Sequence, residues 1–102
     1  MYDLEHLESR LGTLQEHAGD GMKAFWAFDK AAFAPGAIDA KTKQLLALAT
    51  ALTTQCPYCI ELHTDAARKA GASDDELAET AMVAAAIRAG GAVTHATHMF
   101  KK

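Results

Sequence analysis

The stretch DAKTKQLLALATALTTQCPYCIELHTDAARKAG, residues 39–71, is where the reading of this chain starts. Asp39 is of a type that caps helices, and Leu45, Leu48 and Leu52 with Ala49 recur at spacings of three and four. The pattern predicts a helix from about Ala40 to Thr54 with that face buried. Gln55-Cys56-Pro57 ends it. Proline lacks an N–H and is favoured at the first helical position, so Pro57 opens a second helix with Cys56 at its N-cap and Cys59 in its first turn. Gly71 closes that helix.

Downstream, Ser73 followed by Glu76 forms a capping box, and a further helical region runs from Asp74 towards Phe100, where Gly90-Gly91 would kink or split it. Upstream, Ala34-Pro35-Gly36 is a break, preceded by a helix with Met22, Phe25, Trp26 and Phe33 on an apolar side. Aromatics at helical spacing read as core or subunit-interface residues rather than as a cofactor box. Gly19-Asp20-Gly21 separates that helix from a first one, from about Asp3 to Ala18, with Asp3 as cap and Leu4, Leu7, Leu11 and Leu14 as a narrow seam. Gly12 weakens this helix by up to about 1 kcal/mol. Its seam and its charged flanks place it on the outside of an assembly. No period-two pattern occurs anywhere, so the reading is an all-α fold of five to six helices in one domain, residues 1–102, with residues 1–20 as an amphipathic helix at the subunit interface.

Composition supports this. Of 102 residues half are apolar, but 23 are Ala and 10 are Leu, against two Val and three Ile, which favours helices over strands. A domain this small buries roughly 65% of its unfolded surface, and alanine methyls contribute little each, so an oligomer is expected. A net charge of -3 with scattered Lys and Arg leaves no footprint for nucleic acid or an anionic membrane. The N-terminus lacks a signal-peptide layout and the apolar runs are too short to span a bilayer, so a soluble, cytoplasmic protein is expected.

Two cysteines three positions apart cannot staple distant segments. On a helix Cys56, Cys59 and His63 share one face. There the unpaired N–H groups and the positive end of the helix dipole favour a thiolate, an imidazole can take the thiol proton, and the second cysteine can resolve an oxidised first one into a disulfide. Three readings stand side by side: a redox dithiol, a zinc site that would need His95 or His98 to complete its ligands, and two structural cysteines. The stretch from Ala84 to Ala92 reads as close helix packing, His95 and His98 as interface or helix-end residues, and His6 and His17 as solvated.

The run from Asp39 through Gly71, with Cys-x-x-Cys-x-x-x-His at a helix start, and the later AAIRAGGAVTHATH segment resemble the carboxymuconolactone decarboxylase family in its alkylhydroperoxidase D-like branch. The resemblance covers roughly residues 25–100. It implies an all-helical fold assembled as trimers or hexamers, and thiol-dependent reduction of organic hydroperoxides. Electrons would return from a dithiol donor such as a lipoyl or thioredoxin-like protein, and the cysteine pair would serve in place of any bound cofactor. The family's eponymous decarboxylases lack the cysteine pair, so Cys56 and Cys59 point to the redox branch.

By position, Cys56 and Cys59 match the redox pair and His63 the proton-relay histidine. Twelve residues before the first cysteine the family has a Glu, and here Gln44 stands. Gln44 lies about 16 Å back along its helix and His63 about 10 Å forward, so a side chain plus one water would span the offset. An amide can orient the histidine but cannot take a proton, which should raise the thiol pKa. Glu61 faces away, and Tyr58, where the type member carries a second His, reads as a surface or substrate-lining aromatic. The expected function is a thiol peroxidase or disulfide reductase, with Cys59 as the activated thiol and Cys56 meeting the reductant, or with these roles exchanged. The alternative is a non-catalytic oligomeric redox sensor or binding module.

Overall fold

The computed structural model describes residues 3–101. It contains five α-helices: α1 (Leu7–His17), α2 (Gly19–Phe33), α3 (Ala40–Thr54), α4 (Pro57–Lys69) and α5 (Asp74–Ala96), followed by a 3₁₀ turn over Thr97–Phe100. No strand occurs among the described residues. The all-α expectation holds.

The central helices begin and end for local reasons. Asp39 caps α3 by accepting from the Thr42 N–H at 2.7 Å. At its other end Gln55 adopts the left-handed conformation, with φ of 57°, and the Cys56 N–H donates back to the Ala51 carbonyl at 3.1 Å. The same reversal closes α4: Gly71 has φ of 101°, and the Ala72 N–H reaches the Ala67 carbonyl at 2.9 Å. A left-handed non-glycine residue costs about 1–2 kcal/mol, so Gln55 carries a strain that Gly71 does not. Ser73 and Glu76 form the full capping box of α5. Lys41 Nζ donates to Glu76 Oε2 at 2.7 Å, tying the starts of α3 and α5.

The helix α3 is the centre, packed against α4 on one side and α5 on the other. Leu48 and Ala51 of α3, Ala67 of α4, Ala72 in the turn after α4 and Ala84 of α5 are the buried apolar residues among those described. Leu45, Ala49 and Leu52, read as lining the same buried face, are only half-buried. Small methyls set the helix spacing, so little side-chain volume is enclosed.

The N-terminal half departs from expectation at three places. Asp3 does not cap the first helix, which starts at Leu7 behind His6. The Asp3 carboxylate instead meets the His6 ring at 2.6 Å and Arg10 at 3.5 Å, an arrangement that draws Asp3 out of the cap position. The Gly19-Asp20-Gly21 triplet is not a linker: α2 already begins at Gly19, and the break is the single residue Ala18. Glycine permits a helix interior as well as a turn, and α1 packing on α2 decides between them. Third, Gly90-Gly91 neither splits nor ends α5, which runs unbroken for 23 residues.

Candidate functional site

Cys56 occupies the N-cap of α4, where its sulfur accepts from the Cys59 N–H at 3.3 Å. The pair is joined as a disulfide, with Cα atoms 5.3 Å apart. Proline at the first position of α4 fixes this placement, because its missing N–H costs nothing there and its φ is already helical. The disulfide therefore lies across the first turn of a helix, where the remaining unpaired N–H groups face any charge that develops on sulfur.

His63 follows Cys59 by one helical turn and is half-buried. Its Nδ1 lies 2.8 Å from Gln44 Oε1, a direct hydrogen bond from α4 to α3. No bridging water is needed, since the two side chains lean toward each other across the antiparallel pair and close the axial offset between their backbones. An amide oxygen only accepts, so Nδ1 carries the hydrogen of this bond and Nε2 is the lone-pair nitrogen of the neutral ring. Phe33, the last residue of α2, stacks on His63: the ring centroids lie 5.2 Å apart, with the planes 11° apart. Lys43 holds that end of α2 in place by donating to the carbonyls of Ala32 at 2.9 Å and Ala34 at 2.6 Å.

The cysteine pair and His63 thus follow one another on α4, as the spacing indicated, and Gln44, placed by the family resemblance, meets His63 directly. Glu61 lines a separate groove of about 510 Å³ together with Leu4, Ile60, Asp65 and Arg68. Tyr58 has a role that the sequence did not suggest: its hydroxyl accepts from the Asp3 backbone N–H at 3.0 Å, joining the N-terminal segment to the turn that holds the cysteines. Phe33 was legible only as an apolar residue before a break, and no spacing signal ties it to His63. His95 at the end of α5 and His98 in the 3₁₀ turn after it are exposed, their ring nitrogens 3.2 Å apart. Among the described residues the one group of three potential metal ligands is Asp3, Glu5 and His6, in the N-terminal segment, and it includes neither cysteine.

The hydrogen bond from Lys41 holds the Glu76 carboxyl below the usual carboxylate range, helped by the Ser73 N–H, and Glu76 in turn raises Lys41. Asp39 is lowered by the Thr42 N–H that it caps. These groups serve the helix ends that hold α3 and α5 in register.

Comparison with known proteins agrees with this fold. The sequence profile of the carboxymuconolactone decarboxylase family matches residues 19–102. Uncharacterised protein 4 in the cox locus of Paracoccus denitrificans is 52% identical over 73 residues, covering 72% of this chain and 66% of that protein. A Haemophilus influenzae protein is 40% identical over 62 residues, covering 61% of this chain and 55% of its own length. The match thus spans less than two thirds of either relative. Among solved structures, a carboxymuconolactone decarboxylase family protein from Legionella pneumophila superposes with a TM-score of 0.79 at 33% identity, over 82% of this chain and 75% of that one. Another from Thermotoga maritima, described as a candidate participant in an antioxidative response, gives 0.72 at 30% identity over 79% and 69%. On the profile match, the shared fold and the identity to these relatives, the chain belongs to the carboxymuconolactone decarboxylase family.

Proposed function

We propose that the chain is a thiol-dependent oxidoreductase that reduces organic hydroperoxides through Cys56 and Cys59. The observation that carries this reading is the disulfide across the first turn of α4 with His63, oriented by Gln44, one turn further along.

In the reduced protein, the Cys59 proton passes to His63 Nε2, and the thiolate attacks the terminal oxygen of the hydroperoxide. The O–O bond breaks, the alkoxide takes the proton from the imidazolium and leaves as an alcohol, and Cys59 becomes a sulfenic acid. Cys56 then attacks that sulfur, forming the disulfide and releasing water, so two electrons have moved from the cysteine pair to the peroxide. A dithiol of the lipoyl or thioredoxin-like class restores both thiols by exchange through a mixed disulfide at Cys56, and is itself oxidised to a disulfide. The cycle needs a supply of reduced dithiol, which suits a cytoplasmic setting. No helix among the described residues is long and apolar enough to cross a membrane.

Gln44 is the observation that favours a second reading. Because an amide cannot exchange the Nδ1 proton, His63 has no onward relay through this contact, and slow turnover would make the disulfide a sensor rather than a catalytic intermediate. The two readings separate on steady-state hydroperoxide consumption with a dithiol donor. The enzyme reading expects turnover that vanishes in Cys56→Ser and in Cys59→Ser. Disulfide formation without turnover, with every donor tried, leaves the sensor.

A further inference from the structure

The His63 ring is fixed at one edge by the hydrogen bond from its Nδ1 to Gln44 Oε1, at 2.8 Å. A single hydrogen bond leaves a ring free to tilt about the line of that bond. Phe33 takes up this freedom. Its ring is nearly parallel to the imidazole, with the planes 11° apart and the centroids 5.2 Å apart, an offset stack rather than an edge contact. One edge and one face together define the plane of the ring.

Phe33 is in turn held from the helix that carries Gln44. The helix α2 packs chiefly on α1 and meets α3 at few places, so its C-terminal end has no station over α4 without a tie. That end leaves carbonyls with no partner inside the helix. Pro35 has no N–H to give them, and the Gly36 N–H is turned forward to the Ile38 carbonyl at 3.1 Å. Lys43 Nζ fills the gap by donating to the Ala32 carbonyl at 2.9 Å and to the Ala34 carbonyl at 2.6 Å, one on each side of Phe33. A cation at this place is also favoured by the negative end of the helix dipole. Two consecutive residues of α3 therefore restrict two different motions of His63, Gln44 directly and Lys43 through the end of α2.

We infer that Phe33 is a positioning residue for the proton transfer from Cys59, holding the plane of the His63 ring, and that Lys43 keeps Phe33 in place to do so. The inference rests on the reading of His63 as the acceptor of the Cys59 proton. Proton transfer needs the acceptor lone pair directed at the donor, and a ring that tilts meets this condition in fewer of its orientations. The role calls for a flat ring and not merely for an apolar side chain. Leucine would fill much of the same space and leave the tilt unrestrained.

The test is the rate at which iodoacetamide, a neutral reagent, alkylates Cys59 across a pH series in the reduced full chain carrying Cys56→Ser, where serine keeps a good helix cap and leaves one thiol. Phe33→Leu should lower the rate near neutral pH about two- to tenfold, the factor that the worth of an aromatic pair corresponds to, and move the profile toward alkali. Phe33→Tyr, which keeps the ring, should restore the parent profile. Lys43→Met should act in the same direction as Phe33→Leu and add nothing to it in the double variant, because it works through Phe33. Should Phe33→Leu lose helical circular dichroism, Lys43→Met leaves both rings in place and carries the test, with an unmoved profile counting against the inference. A Phe33→Leu profile that coincides with the parent while His63→Gln shifts it overturns the inference and leaves the role of His63 standing. So does a loss that Phe33→Tyr fails to restore, since Phe33 would then act by packing alone, and a further drop in the double variant would overturn the part given to Lys43. A profile unmoved by His63→Gln overturns the role of His63 and the inference with it.

Discussion

At the scale of single residues, the contact between His63 and Gln44 decides how the thiols behave. With an amide oxygen on Nδ1, the imidazole is held in one tautomer with Nε2 available, but it gains no stabilising charge when it takes a proton. A carboxylate in the same position would favour the imidazolium and hence the thiolate it is paired with. Gln44→Glu should therefore move the pH profile for alkylation of the reduced protein by iodoacetamide toward acid by about one unit. An unchanged profile would show that residue 44 is not coupled to the thiols. Cys56, Cys59 and His63 were legible before the structure because helix periodicity and a proline-fixed start put them in register, while Gln44 was picked out by the family resemblance. Phe33 and Tyr58 were not, because stacking on His63 and holding the Asp3 backbone depend on where a distant helix and the N-terminal segment come to lie.

At the scale of helices, the two reversals flanking α4 differ by one residue type at the left-handed position. Gln55→Gly removes the Cβ strain but loosens the unfolded chain, so the net gain should be about 0.5–1 kcal/mol in urea unfolding. A loss of stability in that variant would mean that the Gln55 side chain contributes more than its backbone costs. The ion pair joining α3 to α5 has a pH signature. Glu76 titrates lower in the folded protein than in the unfolded chain, first because of the Lys41 hydrogen bond. Its contribution is accordingly present above the unfolded pKa and is lost as the pH falls through the folded one. The difference in Tm between wild type and Glu76→Gln should be largest near neutral pH and should close below about pH 4. A difference independent of pH would show that the pair acts through packing and not through charge. Helix starts marked by a capping side chain at Asp39 and Ser73 and by Pro57 were readable from sequence. Asp3 and Gly19-Asp20-Gly21 were misread because the same residue types serve turns and first helical turns alike, and the packing of α1 on α2 makes the choice.

At the scale of the whole molecule, an alanine-rich core of few buried residues and a large apolar exterior are two aspects of one composition. The N-terminal hairpin bears on the site, since it ends at Phe33, against the His63 ring, and is preceded by Asp3, on Tyr58 between the two cysteines. The family assignment rests on the profile match and shared fold, while the reaction rests on the cysteine pair and can be tried directly. The reduced protein, mixed with one equivalent of an organic hydroperoxide and quenched with an alkylating agent, should show loss of both thiols. Peptide mapping should find a Cys56–Cys59 disulfide that a dithiol reverses. Thiols that remain free, or a single cysteine carried on to a sulfinic acid, would contradict the account.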